Sequence, residues 1–229
     1  MKQIKLLTIT FKEKIKASET PLLRGAVIHS MQEESTLFHN HLEGNKLRYS
    51  YPLIQYKALH GQAAIVCLGD GADAIGEFFS AEPKALRIGH RHISLEVESI
   101  NAREHDIAAT QEPRLYRLKR WMPLNQANYR TYHSLEGIGD KILFLQRMLT
   151  ANILSFLKGM GIHLDERLEV TITRLTPLHG VSFKGVKVMA FDAAFKCNIA
   201  LPHHIGLGKG VSLGYGTLCG DKAQYKDNA

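Results

Sequence analysis

The chain has 229 residues, 45% of them hydrophobic and 22% charged, with a formal net charge of +7. That length buries one large core or two small ones, and the composition excludes a disordered chain. No apolar run approaches the roughly 18 residues of a membrane helix, so no membrane is expected as a partner, and the positive balance favours a polyanionic one.

The opening stretch "MKQIKLLTITFKEKIK" places Ile4, Leu6, Ile9 and Phe11 in imperfect alternation, which predicts a strand over 3–16. Charges interrupt it throughout and no small-residue cleavage site follows, so it does not read as a signal peptide. A helix is predicted over 19–34, with Thr20 as cap, Pro21 at the first helical position, and Leu23, Val27 and Met31 at helical spacing. Strands over 47–59 and 62–69 follow, the first with Pro52 suggesting an edge or bulge. Residues 70–80 read as a helix and 91–100 as another alternating strand. The order strand, helix, strand, strand, helix, strand is the ferredoxin-like plan shared with the common RNA-recognition module.

A polar, proline-containing joint near "QEPRLYRLKRWMPLN" (111–125) then opens a second half with a new strand. The longest helix is expected over 134–162, carrying Ile142, Leu145, Leu149, Ile153 and Phe156 on one face and stopped by Gly159 and Gly161. Strands over 167–175 and 185–201 come next, and "VSLGYGTLCG" (211–220) closes the sheet. The second half therefore repeats the first, with glycines in place of its second helix. The expected fold is α+β, two tandem ferredoxin-like domains over 1–110 and 111–229. Cys67, Cys197 and Cys219 lie far apart, form no CxxC pair and are odd in number, so reduced thiols and a cytoplasmic location are expected.

The glycine stretch "GLGKGVSLGYG" (206–216) fits neither common nucleotide fingerprint. A P-loop would need glycine at 203 and Ser or Thr at 210, where the chain has His203 and Gly210. A dinucleotide fold would need a helix and a distant acidic residue, and too few residues follow Gly216. What survives is a loop whose bare backbone N–H groups approach a sugar-phosphate chain, with Lys209 adding charge; a plain glycine turn between strands is the alternative.

In "FHNHLEGNKLRYSYPLIQYK" (38–57), His39 and His41 are two apart and share one side of an extended segment. Two imidazoles flanking a phosphodiester can divide general base and general acid work near pH 7. One takes the proton from a ribose 2′-OH and the other protonates the leaving 5′-oxygen. Lys46 and Arg48 can hold the scissile phosphate, and Tyr49 can orient or donate a proton. The residues alone leave other readings open. The pair could ligate a metal, with only Glu43 near as a further ligand, or be two loop histidines without a role. The tripeptide HNH matches only the name of a nuclease family whose residues are dispersed over a longer motif. His29 falls within the first helix, and His203 and His204 flank the glycines.

Gly206-Leu207-Gly208, Lys209 and Gly214-Tyr215-Gly216, closing a tandem ferredoxin-like chain, resemble the C-terminal signature of the sixth Cas family of CRISPR-associated endoribonucleases. "RWMPLNQANY" (120–129) also looks like the family, and the paired "FHNH" followed by "YPLIQYK" most resembles its b-type branch. The resemblance implies cleavage of CRISPR precursor RNA within its repeats, without metal or other cofactor, leaving a 2′,3′-cyclic phosphate and a 5′-OH. It places catalysis on His39 and His41 with Tyr49 and Lys46 in support. It places RNA binding on Gly206, Gly208, Lys209, Gly210, Gly214 and Gly216, with Arg117, Lys119 and Arg120 on the strand opening the second half and Lys141 and Arg147 on the long helix as further grips. CRISPR repeat RNA is the implied partner; a homodimer and subunits of an effector complex are compatible with it. A non-catalytic CRISPR-RNA-binding module of such a complex is the alternative function.

Overall fold

A computed structural model describes residues 2–30, 51–76, 79 and 86–220. Residues 3–106 with 212–214 form one compact unit, and the remainder of the described chain forms a second.

In the first unit, β1 (Lys2–Lys14) leads into α1 (Thr20–Ser30), β2 (Ile54–Leu59) and β3 (Gln62–Leu68). Then come a short helix, α2 (Asp70–Ala74), a hairpin of β4 (Leu86–Ile88) and β5 (Arg91–Ile93), and the long strand β6 (Val97–Ile107). The sheet order is β2-β3-β1-β6, and both β1 and β2 run antiparallel to β3. Leu23 and Val27 of α1 are buried with Ile9, Phe11, Tyr56, Ile65 and Cys67 on one face of the sheet. The hairpin turn between β2 and β3 has His60 at φ 52° and Gly61 at φ 83°. Two successive left-handed residues are what a tight two-residue turn needs to match the strand twist.

Two local expectations change. The carbonyl of Glu19 accepts the N–H groups of Leu22 and Leu23, and its carboxylate accepts from Lys16 N at 2.7 Å, so Glu19 rather than Thr20 caps α1. Thr20 lies inside the helix, buried, with no partner for its Oγ1. The strand expected over 91–100 is two elements: Arg91–Ile93 pairs back onto β4 across the turn at Gly89 (φ 60°), and residues 94–96 leave the strand conformation before β6 begins at Val97.

The second unit contains β7 (Ala109–Trp121), α3 (Gln126–Ser134), α4 (Ile138–Gly159), β8 (Val170–Leu178), β9 (Ser182–Phe183), β10 (Val186–Lys187), β11 (Ala190–Ile199) and β12 (Thr217–Gly220). Its sheet order is β12-β7-β11-β8. Counting only the four sheet strands of each unit, both orders read fourth, first, third, second. The fold is thus two tandem ferredoxin-like halves. Phe144, Leu145, Leu149, Ile153, Phe156 and Leu157 form the buried face of α4. The helix ends when Gly161 adopts φ 62°, with Gly161 N donating to Lys158 O and Ile162 N to Leu157 O. That pair of bonds is a Schellman stop, and it is made by Gly161, while Gly159 is still helical.

Three further expectations change here. The proline-containing stretch near 113 is no joint but part of β7, at a shift in its register with β11, where a missing N–H is tolerated. The strand expected over 185–201 begins at Ala190, and residues 182–187 form a separate hairpin turned by Lys184 (φ 51°) and Gly185 (φ 79°). The closing strand starts at Thr217, after a single 3-10 turn at Val211–Leu213. Glycines do stand where the first half has its second helix. Among the described residues no helix is long and apolar enough to cross a membrane.

Candidate nucleic-acid interface

His39, His41, Lys46 and Tyr49 lie outside the described residues, between the end of α1 at Ser30 and the start of β2 at Ile54. His29, near the C-terminal end of α1, is exposed. On the β2 side, Gln55 is buried and donates from Nε2 to Tyr51 Oη and to Pro52 O, both at 3.0 Å.

The glycine loop is tied down at both ends by backbone hydrogen bonds. Leu207 N donates to Gly216 O at 2.8 Å, Lys209 N to Met122 O at 3.0 Å, Tyr215 N to Gly210 O at 3.2 Å, and Gly216 N to Arg120 O at 3.1 Å. These four N–H groups are engaged by carbonyls of the protein itself rather than offered to phosphates. The glycines are needed for packing. A Cβ on Gly208 would fall 2.9 Å from both Met122 O and the Trp121 ring, and one on Gly216 would overlap the carbonyl of Leu207. Gly208, Gly210, Gly214 and Gly216 all have positive φ. Gly206 bridges to Thr217 and is buried, as are the intervening Leu207, Val211 and Tyr215. Lys209 is the exposed residue at the turn.

Arg120 does not behave like its neighbours. It sits at φ 53°, its N–H donates to Asp192 Oδ1 at 2.8 Å, and its guanidinium lies 4.3 Å over the Tyr215 ring. Tyr215 in turn donates its hydroxyl to Ser182 O at 2.9 Å and packs edge-on to Phe183. Arg120 therefore braces the glycine loop from below.

Arg117 and Lys119 are exposed on the sheet face opposite α4, since the alternating Tyr116 and Leu118 are buried beneath them. Arg117 stands opposite Ala194 of β11, which stands opposite Arg174 of β8, and one step along the face Lys196 stands opposite Leu115 and Thr171. The face thus carries four exposed cations: Arg117, Lys119, Arg174 and Lys196. Arg174 and Lys196 join the basic face only through strand pairing, although the alternation in "FDAAFKCNI" already sets Lys196 against the apolar face. Lys141 and Arg147 lie on α4, with Lys141 Nζ 5.7 Å from the Tyr132 ring and Arg147 Cζ 5.8 Å from that of Phe144. His203 and His204 are half-buried, and His204 holds φ 68° while its N–H donates to Leu218 O.

Burial pushes the Cys67 thiol up to about 12 and that of Cys197 to about 11. Among the described residues no group of three or more His, Cys, Asp or Glu side chains is gathered as a metal would require.

A family model described as the Cas6b N-terminal domain matches residues 2–106, and one described as the Cas6b C-terminal domain matches 108–220. A crystal structure of Cas6b superposes with a TM-score of 0.86 at 27% identity, over 96% of this chain and 100% of that one. A crystal structure described as the CRISPR RNA processing endoribonuclease Cas6b gives 0.74 at 24% identity over the same shares. An uncharacterized protein of Methanocaldococcus jannaschii is 34% identical over 98 residues, 43% of this chain, and the match spans only 65% of that protein's length.

Proposed function

The chain belongs to the Cas6b family, and from that membership we propose that it is an endoribonuclease cutting CRISPR precursor RNA within its repeats. The observation that carries the reading is the match of both family models, which together span nearly the whole chain. The glycine signature and the basic sheet face support it.

The reaction is an internal transesterification. The ribose 2′-oxygen attacks the adjacent phosphorus as the bond to the 5′-oxygen breaks, giving a 2′,3′-cyclic phosphate and a 5′-OH. One of His39 and His41 takes the 2′-OH proton and the other donates a proton to the departing 5′-oxygen. Lys46 and Tyr49 stabilise the charge that builds on the phosphate. No metal enters this scheme. Arg117, Lys119, Arg174 and Lys196 hold the RNA backbone, with Lys209 at the loop turn, and the protein works in the cytoplasm.

Cleavage of repeat RNA in EDTA, with the product ends identified by mass, tests the proposal. A deoxy substitution at the attacking nucleotide should abolish cleavage and spare binding. The H39A/H41A variant should lose on the order of 10²-fold or more in rate with affinity retained. An unchanged rate in that variant rejects the site. Tight, salt-dependent binding with no turnover by the unaltered protein would instead identify a non-catalytic RNA-binding module.

A further inference from the structure

Unpaired RNA bases are held by stacking on flat side chains as well as by charge. The open face of the second sheet has cations but no ring at the positions paired across it, Leu115, Arg117, Ala194, Lys196 and Arg174. Rings occur instead on α3. This helix is capped by Asn125, whose side chain accepts from Asn128 N, and it has no buried residue. Tyr129 and His133 stand one helical turn apart with ring centroids at 4.2 Å, and both are exposed, Tyr129 by 46%. Tyr132 continues the series inward, edge-on to His133 and against Phe144 and Phe191. The outer rings are therefore backed by a ladder that reaches the core at Phe191 and Trp121.

The charge within α3 has one sign, the first acidic residues after it being Glu136 and Asp140. No acidic residue occurs from Trp121 to Leu135, and Arg130 is exposed, one helical turn before His133. Lys141 lies against Tyr132, and Arg147 lies against Phe144.

We propose that Tyr129 and His133, with Arg130 beside them, form a stacking platform for unpaired nucleotides of the RNA. The inference rests on the RNA-processing reading for its ligand and on α3 for its place. An exposed pair of rings backed by Tyr132 accepts a base of any sequence, and the guanidinium meets the phosphate that follows it.

The test uses the full chain and a fluorescein-labelled single-stranded repeat RNA, with abasic sites placed one at a time along it. In the unaltered protein one or two abasic positions should weaken binding on the order of tenfold each. In Y129A/H133A the intact RNA should bind that much more weakly, and the same abasic positions should have no further effect. Y129F keeps the ring and should bind like the unaltered protein. Because Tyr129 and His133 are both exposed, all three proteins should melt alike. Equal affinity in Y129A/H133A, or abasic penalties that persist in it, would overturn the platform. The repeat RNA's cleavage is scored separately. Abasic coupling to Tyr129 in a protein that never cuts would sink the nuclease reading and keep the platform, while cleavage without the coupling would do the reverse.

Discussion

Glycine 216 and glycine 185 share a left-handed backbone but differ in what surrounds them. At Gly216 (φ 61°) a Cβ would collide with the carbonyl of Leu207, whereas at Gly185 (φ 79°) nothing lies within 4 Å. Alanine at 185 should therefore cost only the conformational term, about 1 kcal/mol. Alanine at 216 adds a backbone clash and should cost about 3 kcal/mol or more, read from urea unfolding of both variants. Equal costs would mean that the loop shifts freely, and the bonds joining Leu207 N to Gly216 O and Gly216 N to Arg120 O argue against that. Arg120 gives a second contrast. Its guanidinium already lies on the Tyr215 ring. Arg120→Ala should lower stability by about 0.5–1 kcal/mol and loosen the loop. The sequence grouped Arg120 with Arg117 and Lys119 as one basic run. Alternation separates it from them, but its positive φ follows from the pairing with β11 and β12 and could not be read in advance.

At the scale of elements, the basic face of the second sheet makes its own prediction. Arg117, Arg174 and Lys196 come from three different strands and are adjacent only through the register of β7, β11 and β8. If each neutralises one phosphate, alanine at any of them should reduce the slope of log affinity against log salt by about 0.7–1, and at Arg174 and Lys196 it should leave the melting temperature unchanged. Arg120→Ala should change the melting temperature and leave the slope nearly unaltered. A slope that stays constant in all three face variants would remove this face from the RNA contact. The elements themselves were legible where burial imposes a period. The alternation of β1 and the apolar stripe of α4 were visible in the sequence, and so was the replacement of the second helix by glycines. The helix α3 was not visible, because its inward positions are the half-buried Asn128 and Tyr132 and not an apolar stripe; only its Asn125 cap marked it. The hairpin of β9 and β10 was missed because it turns on Lys-Gly, a weaker signal than Asn-Gly. In the glycine loop the residue pattern was legible, but the direction of its N–H groups was not, since this depends on Met122 and Arg120, distant in sequence.

For the whole molecule, four buried acids among the described residues couple folding to alkaline pH; one is Tyr56, whose hydroxyl burial raises well above its ordinary value. Burial raises the Cys67 thiol from 9.0 to about 12, the Cys197 thiol from 9.0 to about 11, and the Tyr116 hydroxyl from 10.0 to about 12, the last against a hydrogen bond from Leu201 N that pulls it down. In each case the folded state holds its proton more tightly than the unfolded chain, so stability falls wherever the unfolded chain has released a proton that the folded one keeps. The contribution of the two thiols and Tyr116 is therefore complete below pH 9, begins to fall as the thiols of the unfolded chain ionise, and is lost as pH rises through 11 to 12. Cys67 belongs to the first unit and Cys197 and Tyr116 to the second, so both cores should weaken over the same window. Urea midpoints measured from pH 7 to 11 should be level for these groups up to about pH 9 and then decline. Labelling with a thiol reagent at pH 8 gives the complementary reading. Cys219 is half-buried and should react first, while Cys67 and Cys197 should react only at the rate of unfolding. Fast labelling of Cys67 or Cys197 under native conditions would mean that its unit opens locally without global unfolding, and the alkaline decline should then begin in that unit alone.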